Sequence, residues 1–110
     1  MLNSMQPWRM ALERFVAELR VLYGERLQQV ILYGSRARGD AEPEADIDTL
    51  VVLHPLTDFW QEFDHISPIA NRISLEFDVV ISALPVEAEE FQHRQSPLLI
   101  NCRREGVAVG

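Results

Sequence analysis

Val30-Ile31-Leu32-Tyr33-Gly34-Ser35 and, ten residues further on, Asp46-Ile47-Asp48-Thr49-Leu50-Val51-Val52-Leu53 decide the fold of this chain. The first run is short, apolar, β-branched at its start and stopped by glycine, as a buried strand should be. Gly34 lets backbone approach a ligand closely, and Ser35 is placed both to cap a following helix and to donate its hydroxyl to a phosphate. From Ser35 to Ala45 the sequence is polar and breaks at Gly39 and Pro43, so one helical turn and then a loop are expected. The second run becomes dense in β-branched and aliphatic residues and reads as another strand. Residues two apart on a strand face the same side, so Asp46 and Asp48 project together with Cα atoms roughly 6.5–7 Å apart.

A third aspartate, Asp78, interrupts the later apolar run Leu75-Glu76-Phe77-Asp78-Val79-Val80-Ile81, which reads as a third strand reaching the same end of the sheet. Burying that carboxylate between Phe77 and Val79 without a partner would cost several kcal/mol. Close aspartates repel without a cation and raise at least one carboxylate pKa. Hard oxygen donors of this kind suit Mg²⁺ or Mn²⁺ shared with substrate phosphates. A lone D-x-D in an acidic chain is commonly solvated, and a lone Gly-Ser is commonly a turn. Their convergence at one end of one sheet points to a two-metal phosphoryl-transfer site.

Leu32-Tyr33-Gly34-Ser35-Arg36-Ala37-Arg38-Gly39-Asp40 with Asp46-Ile47-Asp48 resembles the G-S-x10-D-x-D signature of the DNA polymerase β-like nucleotidyltransferase superfamily. Within it the chain most resembles the minimal nucleotidyltransferases, or MNT proteins, many of which are antitoxins paired with a HEPN-domain toxin. The resemblance runs from Val30 through Gln95-Ser96-Pro97 and Arg103-Arg104-Glu105-Gly106. It implies that Asp46 and Asp48 bind both catalytic metals, that Asp78 completes one metal site and helps deprotonate the acceptor, and that Gly34 and Ser35 hold the nucleoside triphosphate. Arg36 and Arg38 match the family's G-S-R-A-R-G variant; they either touch phosphate or pair with Asp40, Glu42 or Glu44.

The implied reaction is attack of an acceptor hydroxyl on the α-phosphorus of ATP, with pyrophosphate leaving and Mg²⁺ at two positions, Mn²⁺ being an alternative. The implied role is an antitoxin that transfers AMP to a hydroxyl, a tyrosine foremost, of a HEPN ribonuclease toxin. Two other readings stay open: a non-catalytic antitoxin acting by occlusion, and a small-molecule nucleotidyltransferase. The chain contains no lysine, so a P-loop mechanism is excluded and every fixed side-chain cation is an arginine.

At 110 residues with an apolar fraction of 47%, one domain spanning 1–110 with a real core is expected, too small for a separate acceptor-recognition domain. A net charge of −7 argues against gripping nucleic-acid phosphates over a broad surface, so no direct nucleic-acid binding is expected. No charged-then-apolar leader and no apolar stretch of membrane-spanning length is present, so a cytoplasmic location without membrane contact is expected. The single cysteine, Cys102, excludes an internal disulfide and reads as a small core residue.

The scaffold signals give an α/β domain, a small mixed sheet flanked by helices. Trp8, Leu12, Phe15, Leu19 and Leu22 form one helical stripe whose start Pro7 fixes. Thr57 or Asp58 caps a second helix lined by Phe59, Phe63 and Ile66, which Ser67-Pro68 should interrupt. Trp60 is expected in the core. Glu87, Glu89 and Glu90 suit the first turn of a helix, and Ser96-Pro97 opens a last one closed by Arg103, Arg104 and Gly106. That helix is expected to pack on the sheet, with Arg94, Arg103 or Arg104 as the alternative partner contacts.

Overall fold

A computed structural model describes residues 6–110. Helix α1 (Pro7–Tyr23) carries its proline in the first turn, where the missing N–H leaves no bond unmade. Its inner stripe runs through Leu12, Phe15, Leu19 and Tyr23. Leu22, expected on that stripe, is 44% exposed, because the 3.6-residue period carries the inward face from Leu19 to Tyr23. Phe15 and Leu19 are fully buried, each contributing about 1.5–3 kcal/mol by transfer from water.

The remaining elements are a 3₁₀ turn (Gly24–Arg26), strand β1 (Leu27–Tyr33), a four-residue helix α2 (Ser35–Arg38), β2 (Ile47–Leu53), the long α3 (Phe59–Phe77), β3 (Ile81–Glu87), α4 (Ala88–His93), α5 (Pro97–Glu105) and a short β4 (Val107–Ala108). The sheet order is β3-β2-β1-β4. Strand β1 is antiparallel to β2 and β4, while β2 and β3 are parallel. A parallel neighbour requires a crossover, and α3 supplies it. The architecture is the small mixed sheet flanked by helices that the sequence implies.

Alternation along β2 divides the core. Ile47, Val51 and Leu53 pack with α1 and α3, whereas Leu50 and Val52 pack with Phe91, Leu99 and Cys102 from α4 and α5. By the same two-residue period, Asp48 stands on the side of Leu50 and Val52. Ser96 caps α5 by accepting from the Leu99 N–H at 3.2 Å, and Gly106 closes it. Among the described residues no helix is long and apolar enough to cross a membrane.

Helix α3 starts as the sequence implies and departs from it at Pro68, at its last turn and at Trp60. Asp58 caps it, accepting from the Gln61 N–H at 3.1 Å. Pro68 lies inside the helix rather than restarting it; the residue is exposed, so its ring meets solvent and only one backbone bond is forfeited. Leu75, Glu76 and Phe77 are its last turn, not a strand, and Asp78 closes it in the left-handed conformation, with φ 56° and ψ 48°. Ile66, Ala70, Ile73 and Phe77 recur at three- and four-residue steps against the core, and that period overrides the local Leu-Glu-Phe-Asp alternation. Trp60, expected inside, is 69% exposed and meets Phe59 and Phe63 edge-on.

Candidate active site

Strand β1 ends at Tyr33 and the chain turns at Gly34, whose φ of 76° and ψ of −157° are strained for any residue with a Cβ. A Cβ at Gly34 would also lie 2.6 Å from Asp48 Oδ2. Backbone and carboxylate are therefore in direct contact, across the β1–β2 register that pairs Tyr33 with Asp48. Ser35 is the first residue of α2 rather than its cap; Gly34 holds the cap position, and its carbonyl accepts from the Ala37 and Arg38 N–H groups at 3.1 Å each.

Asp46 is exposed immediately before β2, and Asp48 is half-buried within it. Burial, and after it the Asp46 charge, push the Asp48 carboxyl above its ordinary value. Burial, Asp48 and then Cys102 push the Tyr33 hydroxyl up to about 12. Among the described residues neither aspartate is ion-paired with an arginine or histidine. A half-buried carboxylate pressed by a second one, with no protein cation to offset them, has the donor chemistry of a hard divalent cation site. Asp46 and Asp48 fit Mg²⁺ or Mn²⁺.

Asp78 is not gathered with them. It lines a hollow of about 330 Å³ with Arg36, Pro43 and Val79, whereas Asp46 lines another, of about 350 Å³, with Ser67, Asn71 and Ser82. Among the described residues no three acidic, histidine or cysteine side chains converge at an ion-sized site. Ser82, which carries no motif and was not singled out from the sequence, stands opposite Asp48 in the β2–β3 register.

The two arginines also separate. Arg36 Nη2 donates to the carbonyls of Pro43 at 3.0 Å and Ala45 at 3.2 Å, and the guanidinium stacks on Trp8 at 4.8 Å. It braces the loop that delivers Asp46. Arg38 pairs with Asp40 at 3.2 Å and with Glu105 at 3.9 Å. A hollow of about 640 Å³ is lined mainly by apolar side chains such as Leu50, Leu56, Leu84 and Val86 and includes none of the motif residues.

A strand, a Gly-Ser turn and a D-x-D strand meeting in a mixed sheet define the nucleotidyl-transfer class. The sequence matches the Polymerase beta, Nucleotidyltransferase family over residues 20–103, and the chain belongs to that family. It is 36% identical over 85 residues to a Methanocaldococcus jannaschii protein described as "putative protein adenylyltransferase", covering 77% of this chain and 78% of that one. Among solved structures it is similar to a toxin-antitoxin crystal structure with AMP-PNP, at TM-score 0.61 and 18% identity over 87% of this chain and 70% of the other. It is also similar to a Shewanella oneidensis complex of a tri-AMPylated HEPN toxin with its MNT antitoxin, at TM-score 0.55 and 16% identity over 91% of this chain and 69% of the other. At these identities the structural likeness establishes the fold.

Proposed function

We propose that this chain is a cytoplasmic antitoxin that transfers AMP from ATP to a hydroxyl, foremost a tyrosine, of a HEPN ribonuclease toxin and so neutralises it. The observation that carries the reading is the uncompensated Asp46–Asp48 pair, with Asp48 set against the Gly34 backbone. The relative described as a protein adenylyltransferase supports the reaction, and the MNT antitoxin fold supports the partner. Asp46 and Asp48 would hold divalent cations, which supply charge neutralisation at the phosphates and a lowered acceptor pKa when bound. Gly34, lacking a Cβ, seats the Asp48 carboxylate against the turn, where Gly34 and Ser35 would hold the triphosphate. Arg36 keeps Asp46 in place by holding the carbonyls of Pro43 and Ala45.

Neutralisation by occlusion alone is the second reading, and the separation of Asp78 from the aspartate pair is the observation that favours it. Intact-mass analysis of a cognate HEPN protein, after incubation with this chain, ATP and Mg²⁺, separates the two. Transfer predicts a gain of one or more AMP units that the Asp46→Asn, Asp48→Asn double variant loses along with neutralisation. Occlusion predicts an unchanged toxin mass, a stable complex, and neutralisation that survives the double substitution.

A further inference from the structure

We infer that Ser82, not Asp78, occupies the third position of the cation site, so that the chain presents two carboxylates and a hydroxyl there; this rests on the metal-dependent reading above. Strands β2 and β3 are parallel, and their register sets Asp48 beside Ser82. Neighbouring strands lie about 4.8 Å apart, and residues in register face the same side of a sheet. Ser82 is exposed, and it shares its hollow with Asp46. A residue at that point of the register is the one on β3 best placed to complete a ligand set begun by Asp46 and Asp48.

The register is pinned on both sides of Ser82. The Ile47 N–H donates to the Val80 carbonyl at 2.8 Å, and the buried Thr49 hydroxyl donates to the Ser82 carbonyl at 3.0 Å. Upstream, Ser74 ties the end of α3 to the start of β3: its carbonyl accepts from the N–H groups of both Asp78 and Val79, and its hydroxyl accepts from the Ile81 N–H at 2.9 Å. Asp78 is thereby held as the left-handed terminus of a helix, a conformation that aspartate tolerates better than most residues. Bringing its carboxylate to the pair would require β3 to slip by four residues, the distance in sequence from Asp78 to Ser82, and would break each of these bonds.

A hydroxyl in place of a carboxylate lowers the charge of the ligand set by one and leaves more of the cation's coordination to water and nucleotide phosphate. Affinity for a free divalent cation is therefore modest in the wild-type chain and is raised by restoring the carboxylate. The test is Mn²⁺ binding to the full chain without nucleotide, followed by electron paramagnetic resonance of free Mn²⁺, with circular dichroism and thermal melts checking that each variant is folded. Ser82→Asp is expected to tighten Mn²⁺ at least tenfold, Asp78→Asn to leave it within twofold, and Asp46→Asn with Asp48→Asn to remove it. A tenfold loss in Asp78→Asn, or a folded Ser82→Asp no tighter than wild type, overturns the assignment while leaving the metal reading intact. If Ser82→Asp does not fold, Asp78→Asn, at an exposed helix end, decides alone. A wild-type chain that binds no Mn²⁺, unchanged by the Asp46 and Asp48 substitutions, overturns both.

Discussion

Gly34 does two jobs at one position. Its backbone conformation belongs to glycine, and its missing side chain leaves the space that Asp48 Oδ2 fills. Gly34→Ala is expected to lose about 1–3 kcal/mol of stability from the backbone strain alone. The same substitution drives the Asp48 carboxylate off its position, and a misplacement of about 1 Å costs on the order of a hundredfold in rate. AMP transfer measured well below the melting temperature should therefore fall far more than the folded fraction does; equal losses would mean that Gly34 serves the fold only. This residue and the D-x-D pair were legible in the sequence because their relation is local, set by two strand ends and a fixed ten-residue spacing. Arg36 was only half legible. Its place beside the turn could be read, but its hold on Pro43, Ala45 and Trp8 depends on how a loop and the start of α1 fold over it.

At the scale of elements, legibility followed the punctuation. Strands β1 and β2, the single turn of α2 and helix α5 are each opened or closed by Gly, Ser-Pro or a polar break, and the structure has them where those signals stand. The end of α3 carries no such signal. Leu75-Glu76-Phe77-Asp78 alternates like a strand over four residues, and its helical state comes from Ile73 and Phe77 packing on the core seventy residues into the chain. Reading that end as strand placed the start of β3 too early, and it put Asp78 on a strand where the structure has a helix terminus. The same packing carries α3 through Pro68, whose ring removes the N–H owed to the Asp64 carbonyl. Pro68→Ala restores that bond on an exposed face, and urea unfolding should show a gain of roughly 1–3 kcal/mol. A loss would mean that the backbone geometry Pro68 fixes is needed to seat Ile66 and Ile73.

On the scale of the whole molecule, one buried charge joins three separate parts of the chain. Glu62 of α3 accepts from the Tyr23 hydroxyl of α1 at 2.8 Å and from Arg26, just before β1, at 2.7 Å. Glu62 is 6% exposed, and a carboxylate at that depth is tolerated only because these donors satisfy it. Burial pushes its pKa up, but the hydrogen bonds from Arg26, Tyr23 and His65, with the Arg26 charge, outweigh it and hold the carboxyl below its ordinary value. A carboxyl lowered on folding releases its proton more readily in the native state than in the unfolded one. Its contribution is thus fully present above the unfolded value and disappears as pH falls through the folded value. Glu62→Gln should lower stability at neutral pH, by roughly 3 kcal/mol if the Arg26 charge is left wholly uncompensated and less as solvent reaches it. The gap between variant and wild type should then narrow as urea titrations are repeated from pH 7 down through the carboxylate range. A gap that stays constant with pH would show that the substitution acts through packing, and that the Tyr23–Glu62–Arg26 junction holds α1, β1 and α3 together by shape rather than by charge.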